Sequence, residues 1–178
     1  MSLNGPLWKD KYRIASARKS DWNYSNAGAY FVTWCVKNKI NCLSQIEKDT
    51  VELTKFGRIV DEEWHETAQR RNNTLLDAWV VMPSHVHGII IIEHDAAVQD
   101  HPAPSRLFTQ SLGAMINQIK SKCTKRIWAT GETTFAWQPR FYDRILRNER
   151  ALNAARNYIA NNPNRWELDR NNNAGIFM

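Results

Sequence analysis

The sequence predicts an α+β fold: a ferredoxin-like β-α-β-β-α-β antiparallel sheet with helices on one face and a C-terminal tyrosine-bearing helix on the other. Three observations lead there. Short runs dense in β-branched and aromatic residues read as strands, longer runs between them repeat apolar residues at helical spacing, and two of the strand-like runs are parted only by Pro83-Ser84. A link that short leaves no room for a crossover, so those two runs pair as an antiparallel hairpin. The first six elements then follow the split β-α-β order, in which helices cover one face of the sheet.

The elements follow in order. Tyr30-Phe31-Val32-Thr33-Trp34-Cys35-Val36 is rich in strand formers and makes the first strand. From 49 to about 71 the spacing of Val51, Leu53, Phe56, Ile59, Val60, Trp64 and Ala68 predicts a helix with one buried face, capped by Asp49. The hairpin strands run from about 75 to 82 and from 85 to 93. After a loop rich in Asp, Ala and Pro at 95–104, Ser105 caps a helix reaching about 127, with Leu107, Phe108, Leu112, Met115, Ile116 and Ile119 as its apolar stripe. Residues 140–146 alternate as a fourth strand. Residues 149–162 form the last helix, with Asn148 as cap and Pro163 marking its end.

Composition bounds the function. The 178 residues fit one domain, 29–178, behind a basic leader at 1–28, and 43% apolar residues with eight tryptophans exclude a disordered chain. The net charge of +6 favours a polyanionic partner, nucleic acid first. In the leader, Lys9, Lys11, Arg13, Arg18 and Lys19 interleave with Trp8, Tyr12 and Trp22, which suits a nucleic-acid-gripping arm or a solvated leader. Cys35, Cys42 and Cys123 form no Cys-x-x-Cys pair, which excludes a disulfide framework and a zinc ribbon and points to a reducing compartment. No apolar stretch approaches the roughly 18 residues of a spanning helix. The expected location is cytoplasmic, with no membrane partner.

The chemistry concentrates in His85-Val86-His87. Strand side chains alternate faces, so the two imidazoles point the same way and make half of a divalent-metal site. His65, His94 and His101 have no partner at ligand spacing. On the last helix Tyr158 and Asn162 stand at i and i+4 and share a face. A phenol is a weak nucleophile until it is activated and positioned, and then it forms a covalent phosphodiester intermediate, while a metal polarises the phosphate. Each residue also has an ordinary structural reading, as strand histidine, packed aromatic or helix-terminal amide. Their combination is what carries weight. Tyr142, on the fourth strand, is the second choice of nucleophile.

Three segments together resemble a known family, the HUH single-tyrosine transposases of the insertion-sequence-200/605 type, specifically the REP-associated tyrosine transposases. They are Ala78-Trp79-Val80-Val81-Met82-Pro83-Ser84-His85-Val86-His87, Trp137-Gln138-Pro139-Arg140-Phe141-Tyr142-Asp143-Arg144-Ile145-Leu146-Arg147-Asn148, and Tyr158-Ile159-Ala160-Asn161-Asn162-Pro163. With the order of elements, the resemblance covers about 30 to 166. It implies that His85 and His87 bind Mg²⁺ or Mn²⁺, with Asn162 as third ligand where insertion-sequence relatives commonly use glutamine. It implies that Tyr158 attacks a phosphate of single-stranded DNA beside a short hairpin, keeps the 5′ side as phosphotyrosine and releases a 3′ hydroxyl. The relatives act as monomers or homodimers, so the tyrosine acts in its own chain or in its partner's.

Supporting residues divide two ways. Arg140, Arg144 and Arg147 along the fourth strand, and Lys120, Lys122 and Lys125 on the second helix, suit phosphate contact or plain solvation. Trp137, Phe141 and Tyr142 suit base stacking or core packing. Two other function classes stay open: a non-catalytic, domesticated DNA-hairpin-binding protein, and a histidine-metal hydrolase unrelated to DNA.

Overall fold

A computed structural model describes residues 24, 26–47, 49–93 and 111–171, with side chains up to residue 166. The leader to Asn23, the 95–104 loop, Ser105, Leu107, Phe108, His94 and His101 lie outside the described residues. The elements are β1 (Gly28–Cys35), a 3₁₀ turn (Lys37–Lys39), β2 (Ser44–Glu47), β3 (Thr50–Leu53), α1 (Lys55–Gln69), β4 (Thr74–Val81), β5 (His85–Ile92), α2 (Leu112–Ala129), β6 (Tyr142–Leu146) and α3 (Glu149–Asn171). β4-β5-β1-β6 form one sheet with every neighbour antiparallel, the strand order of the ferredoxin-like arrangement.

Strand alternation sorts the core into two layers. Tyr30, Val32 and Trp34 of β1 and Val86, Ile90 and Ile92 of β5 face α1 and α2, meeting Val60, Trp64, Met115, Ile116 and Ile119. Phe31 and Ile89 point the opposite way, and with Leu146 they meet Leu152 and Ile159 of α3. The histidines share this second face. Gly88, between them and the isoleucines, sits under α1: a Cβ there would lie 2.5 Å from the Trp64 ring. Tyr24, from the end of the expected leader, packs against the larger core, and its carbonyl accepts from the Leu112 N–H at the start of α2.

Four element boundaries differ from expectation. Asp49 is not a helix cap. It takes φ +63° in the turn of the two-residue-linked β2–β3 hairpin, where Val51 and Leu53 stand at strand spacing, and helical spacing begins only after Thr54. Thr54 is the cap of α1, its hydroxyl accepting from Phe56 and Gly57 N–H at 3.2 Å each. α2 begins at Leu112, capped by the Ser111 hydroxyl, and Ser105 lies upstream of it. Arg140 is not in the fourth strand; it takes φ +66°, and β6 begins at Tyr142.

The last helix does not stop at Pro163. Asn148 caps it as expected, its side-chain oxygen accepting from Ala151 N–H at 2.9 Å. Pro163 lies inside α3, which continues to Asn171. Proline removes the N–H that would bond to the Ile159 carbonyl. The turn beyond it is held from outside, by the Trp166 ring against His85. Among the described residues, no helix is long and apolar enough to cross a membrane.

Candidate active site

The β4–β5 turn brings His85 into place. Met82, Pro83 and Ser84 are all buried, and backbone donors converge on the turn: Val36 N–H on the Ser84 carbonyl at 2.8 Å, and Cys42 and Leu43 N–H on the Pro83 carbonyl at 2.9 Å. Met82 N–H closes the turn on the His85 carbonyl at 2.8 Å. A strand end held on so many sides leaves the first histidine little freedom, which suits a preorganised site.

The two imidazoles converge. Their Nε2 atoms are 3.1 Å apart, and the ring centroids 4.7 Å. Each Nδ1 has an oxygen neighbour, Thr33 Oγ1 at 2.7 Å for His87 and Ser84 Oγ at 3.3 Å for His85. If both Nδ1 atoms carry the proton and donate to those oxygens, both Nε2 lone pairs are free and directed toward one another. Burial lowers the pKa of both rings, His85 to about 4 with help from Lys39 and His87 to about 3 with help from His85. At neutral pH both are therefore uncharged, the form that binds metal.

α3 supplies the opposing wall. The Tyr158 ring meets His87 edge-on at 5.2 Å and Phe31 at 5.8 Å, while Phe31 stacks on His87 at 5.5 Å. Two turns along, the Trp166 ring lies 5.9 Å from His85. Asn162 is one turn from each of these rings on the same helix face and is 8% exposed, so it lies on the stretch of α3 that spans the histidine pair. Tyr158 is 39% exposed.

Nitrogen atoms 3.1 Å apart are within reach of one divalent ion, whose bonds to imidazole are about 2.1 Å long. Among the described residues there is no cluster of three His, Cys, Asp or Glu side chains. The imidazole pair by itself leaves coordination room for further ligands.

The sheet register sorts the remaining predicted residues. Thr33 faces His87 across β1–β5 and Tyr142 across β1–β6; Phe31 faces Ile89 and Arg144 in the same way. Directly paired residues share a face, so Tyr142 and Arg144 stand on the histidine side, both exposed. Arg140 and Arg147 are exposed just beyond the two ends of β6. The lysines are elsewhere, on α2, which covers the opposite face. Lys120 is engaged in structure, its ammonium donating to the Gln138 carbonyl at 2.6 Å and the Arg140 carbonyl at 2.8 Å, with burial lowering its pKa. Lys122 lies one turn from Gln118, which accepts from Arg71 just past α1, and one from Arg126, which donates to Glu63 of α1, and Lys125 is exposed. Trp137 and Phe141 pack against the core instead of standing free to stack on bases. The His65 ring meets Trp79 at 4.5 Å beside Asp61.

Sequence reasoning missed Phe31, Thr33 and Trp166. Thr33 and Phe31 leave no local signal, because only the β1–β5 register sets them beside His87. Trp166 did leave one, since it continues the Tyr158, Asn162 spacing by another i+4 step, but Pro163 was expected to end the helix before it.

This topology and this face define the class of fold: it is the fold of a REP-associated tyrosine transposase. A solved structure of such a transposase, bound to a REP hairpin, superposes with a TM-score of 0.58 at 23% identity, covering 84% of this chain and 74% of that one. An uncharacterized protein of Haemophilus influenzae is 31% identical over 162 residues, covering 86% of this chain and 90% of the relative, and this chain belongs to the same family. No protein-family model matches the sequence.

Proposed function

We propose that the protein is a DNA strand-transfer enzyme that cleaves and rejoins single-stranded DNA beside a hairpin through a phosphotyrosine. The observation that carries this reading is the Tyr158 ring edge-on to His87, 5.2 Å away, over a pair of neutral imidazoles. The REP-hairpin-bound structure with the same fold supplies the substrate class.

In this reading the Tyr158 oxygen attacks phosphorus, keeps the 5′ side of the broken strand as a phosphodiester, and gives up its proton. The departing 3′ oxygen takes a proton, and the same hydroxyl, or another, reverses the step. His85, His87 and Asn162 would hold Mg²⁺ or Mn²⁺, which supplies polarisation of the scissile phosphate when bound. Thr33 fixes the His87 ring, and Phe31 and Trp166 exclude water from the two imidazole faces. Arg144, with Arg140 and Arg147 at the ends of β6, meets the DNA backbone, and Tyr142 offers a face to an unpaired base.

The test is a single-stranded oligonucleotide carrying a REP-like hairpin, incubated with Mn²⁺ and resolved under denaturing conditions. A covalent protein–DNA adduct is expected with the unaltered chain and is lost in Tyr158→Phe and in His85→Ala. Hairpin binding without adduct, across several flanking sequences, makes the protein a binding module instead. An adduct that survives Tyr158→Phe and disappears in Tyr142→Phe moves the nucleophile to β6.

A further inference from the structure

The tyrosine helix is joined to the sheet by a polar contact on the flank away from the tyrosine. Arg156 Nε donates to Asp77 Oδ1 at 2.9 Å and to Oδ2 at 3.2 Å, and a terminal guanidinium nitrogen donates to Oδ2 at 2.5 Å. Both ends of the pair are themselves held. Asp77 Oδ1 also accepts from Ala78 N–H at 2.6 Å, where β4 shifts register against β5 between Leu76 and Trp79, and Arg156 also donates to Asn153 Oδ1 at 3.0 Å. The arginine lowers the Asp77 pKa, with burial opposing it.

Helix geometry gives this pair a task. At about 100° per residue, Arg156 lies about 60° to one side of Ile159 and Tyr158 about 100° to the other. Ile159, with Leu152, is buried against Phe31 and Ile89, and so marks the sheet-facing centre of α3. That centre is apolar and nondirectional: Leu152, Ala155 and Ile159 allow rotation and sliding with little change in buried area. A forked guanidinium on a carboxylate does not, because both oxygens must be met in one geometry.

We infer that the Asp77–Arg156 pair is a positioning pair that sets the rotation of α3, and through it delivers Tyr158 to the histidines of its own chain. This rests on the function proposed above. The polar partners of the two residues are each other, Ala78 and Asn153, not the His85–His87 pair, and their effect passes through the helix.

The test uses the full chain, the hairpin oligonucleotide and Mn²⁺, and reads three quantities: the single-turnover rate of adduct formation, hairpin affinity, and amide hydrogen exchange along α3. Asp77→Asn and Arg156→Gln are expected to slow adduct formation by about ten- to a hundredfold, the loss that follows from a misplacement of about 1 Å. Hairpin affinity stays unchanged, α3 amides exchange faster, and those of β1 and β5 do not, which shows that the sheet remains folded. The exchanged pair, Asp77→Arg with Arg156→Asp, recovers part of the rate. Wild-type rate and α3 exchange in both single variants overturn the inference, as does an affinity loss equal to the rate loss, or an exchanged pair no faster than the singles. If the unaltered chain forms no adduct, the proposed function fails, and α3 exchange alone decides the pairing.

Discussion

Burial of His85 and His87 gives the site its neutral imidazoles and gives the protein a pH dependence. A histidine ordinarily titrates near 6.5, and in the fold these two are held at about 4 and about 3. Above pH 6.5 neither folded nor unfolded chain protonates them, so they add nothing to stability there. Below it the unfolded chain gains protons that the folded chain refuses, and stability falls as pH drops toward 4. Urea unfolding at pH 7, 6 and 5 in the absence of metal should show this fall, and a His85→Gln, His87→Gln chain should show a shallower one. Thr33 matters at this scale too, since its hydroxyl lies 2.7 Å from His87 Nδ1 and orients that ring.

Between elements, α1 lies over β5 at Gly88. Trp64 stacks on Trp34 at 5.8 Å and lies across Gly88, whose missing side chain makes the space for it. Gly88→Ala would place Cβ 2.5 Å from the Trp64 ring, and one of the two must move. A destabilisation of about 1–3 kcal/mol is expected, the usual cost of overpacking, read as a lower urea midpoint at unchanged slope. Element limits were the least legible part of the sequence. Asp49 and Pro163 each carry a strong local signal, cap and breaker, and each was overruled by packing: the first by hairpin pairing of β2 with β3, the second by Trp166 on His85. Thr54 and Asn148 both cap helices by bonds within a few residues, yet only Asn148 is legible in the sequence, because apolar residues on β3 blur the start of α1.

At the scale of the molecule, the sheet separates two basic regions that the sequence alone could not tell apart. Arg144 shares the histidine face, whereas Lys122 belongs to the helix on the opposite face. Binding of the hairpin oligonucleotide across a salt series should separate them. Arg144→Ala is expected to reduce the slope of log affinity against log salt by about 0.7, the release expected for one single-strand phosphate contact, and Lys122→Ala to leave it unchanged. An Arg144→Ala slope equal to that of the unaltered chain would remove Arg144 from the interface.

By itself the sequence determined the pairings that backbone periodicity dictates. His85 and His87 share a face because strands repeat every two residues, and Tyr158 and Asn162 share one because helices return after four. The sequence also determined the pairing of β4 with β5, since so short a link forces an antiparallel hairpin. Only the tertiary structure decided that α3 lies on its own chain's histidine face, that Phe31, Thr33 and Trp166 complete the site, and that the α2 lysines stand apart from it. The reason is physical: local periods follow from bond geometry within a segment, whereas the meeting of Tyr158 with His87 depends on which apolar faces bury each other across the whole chain.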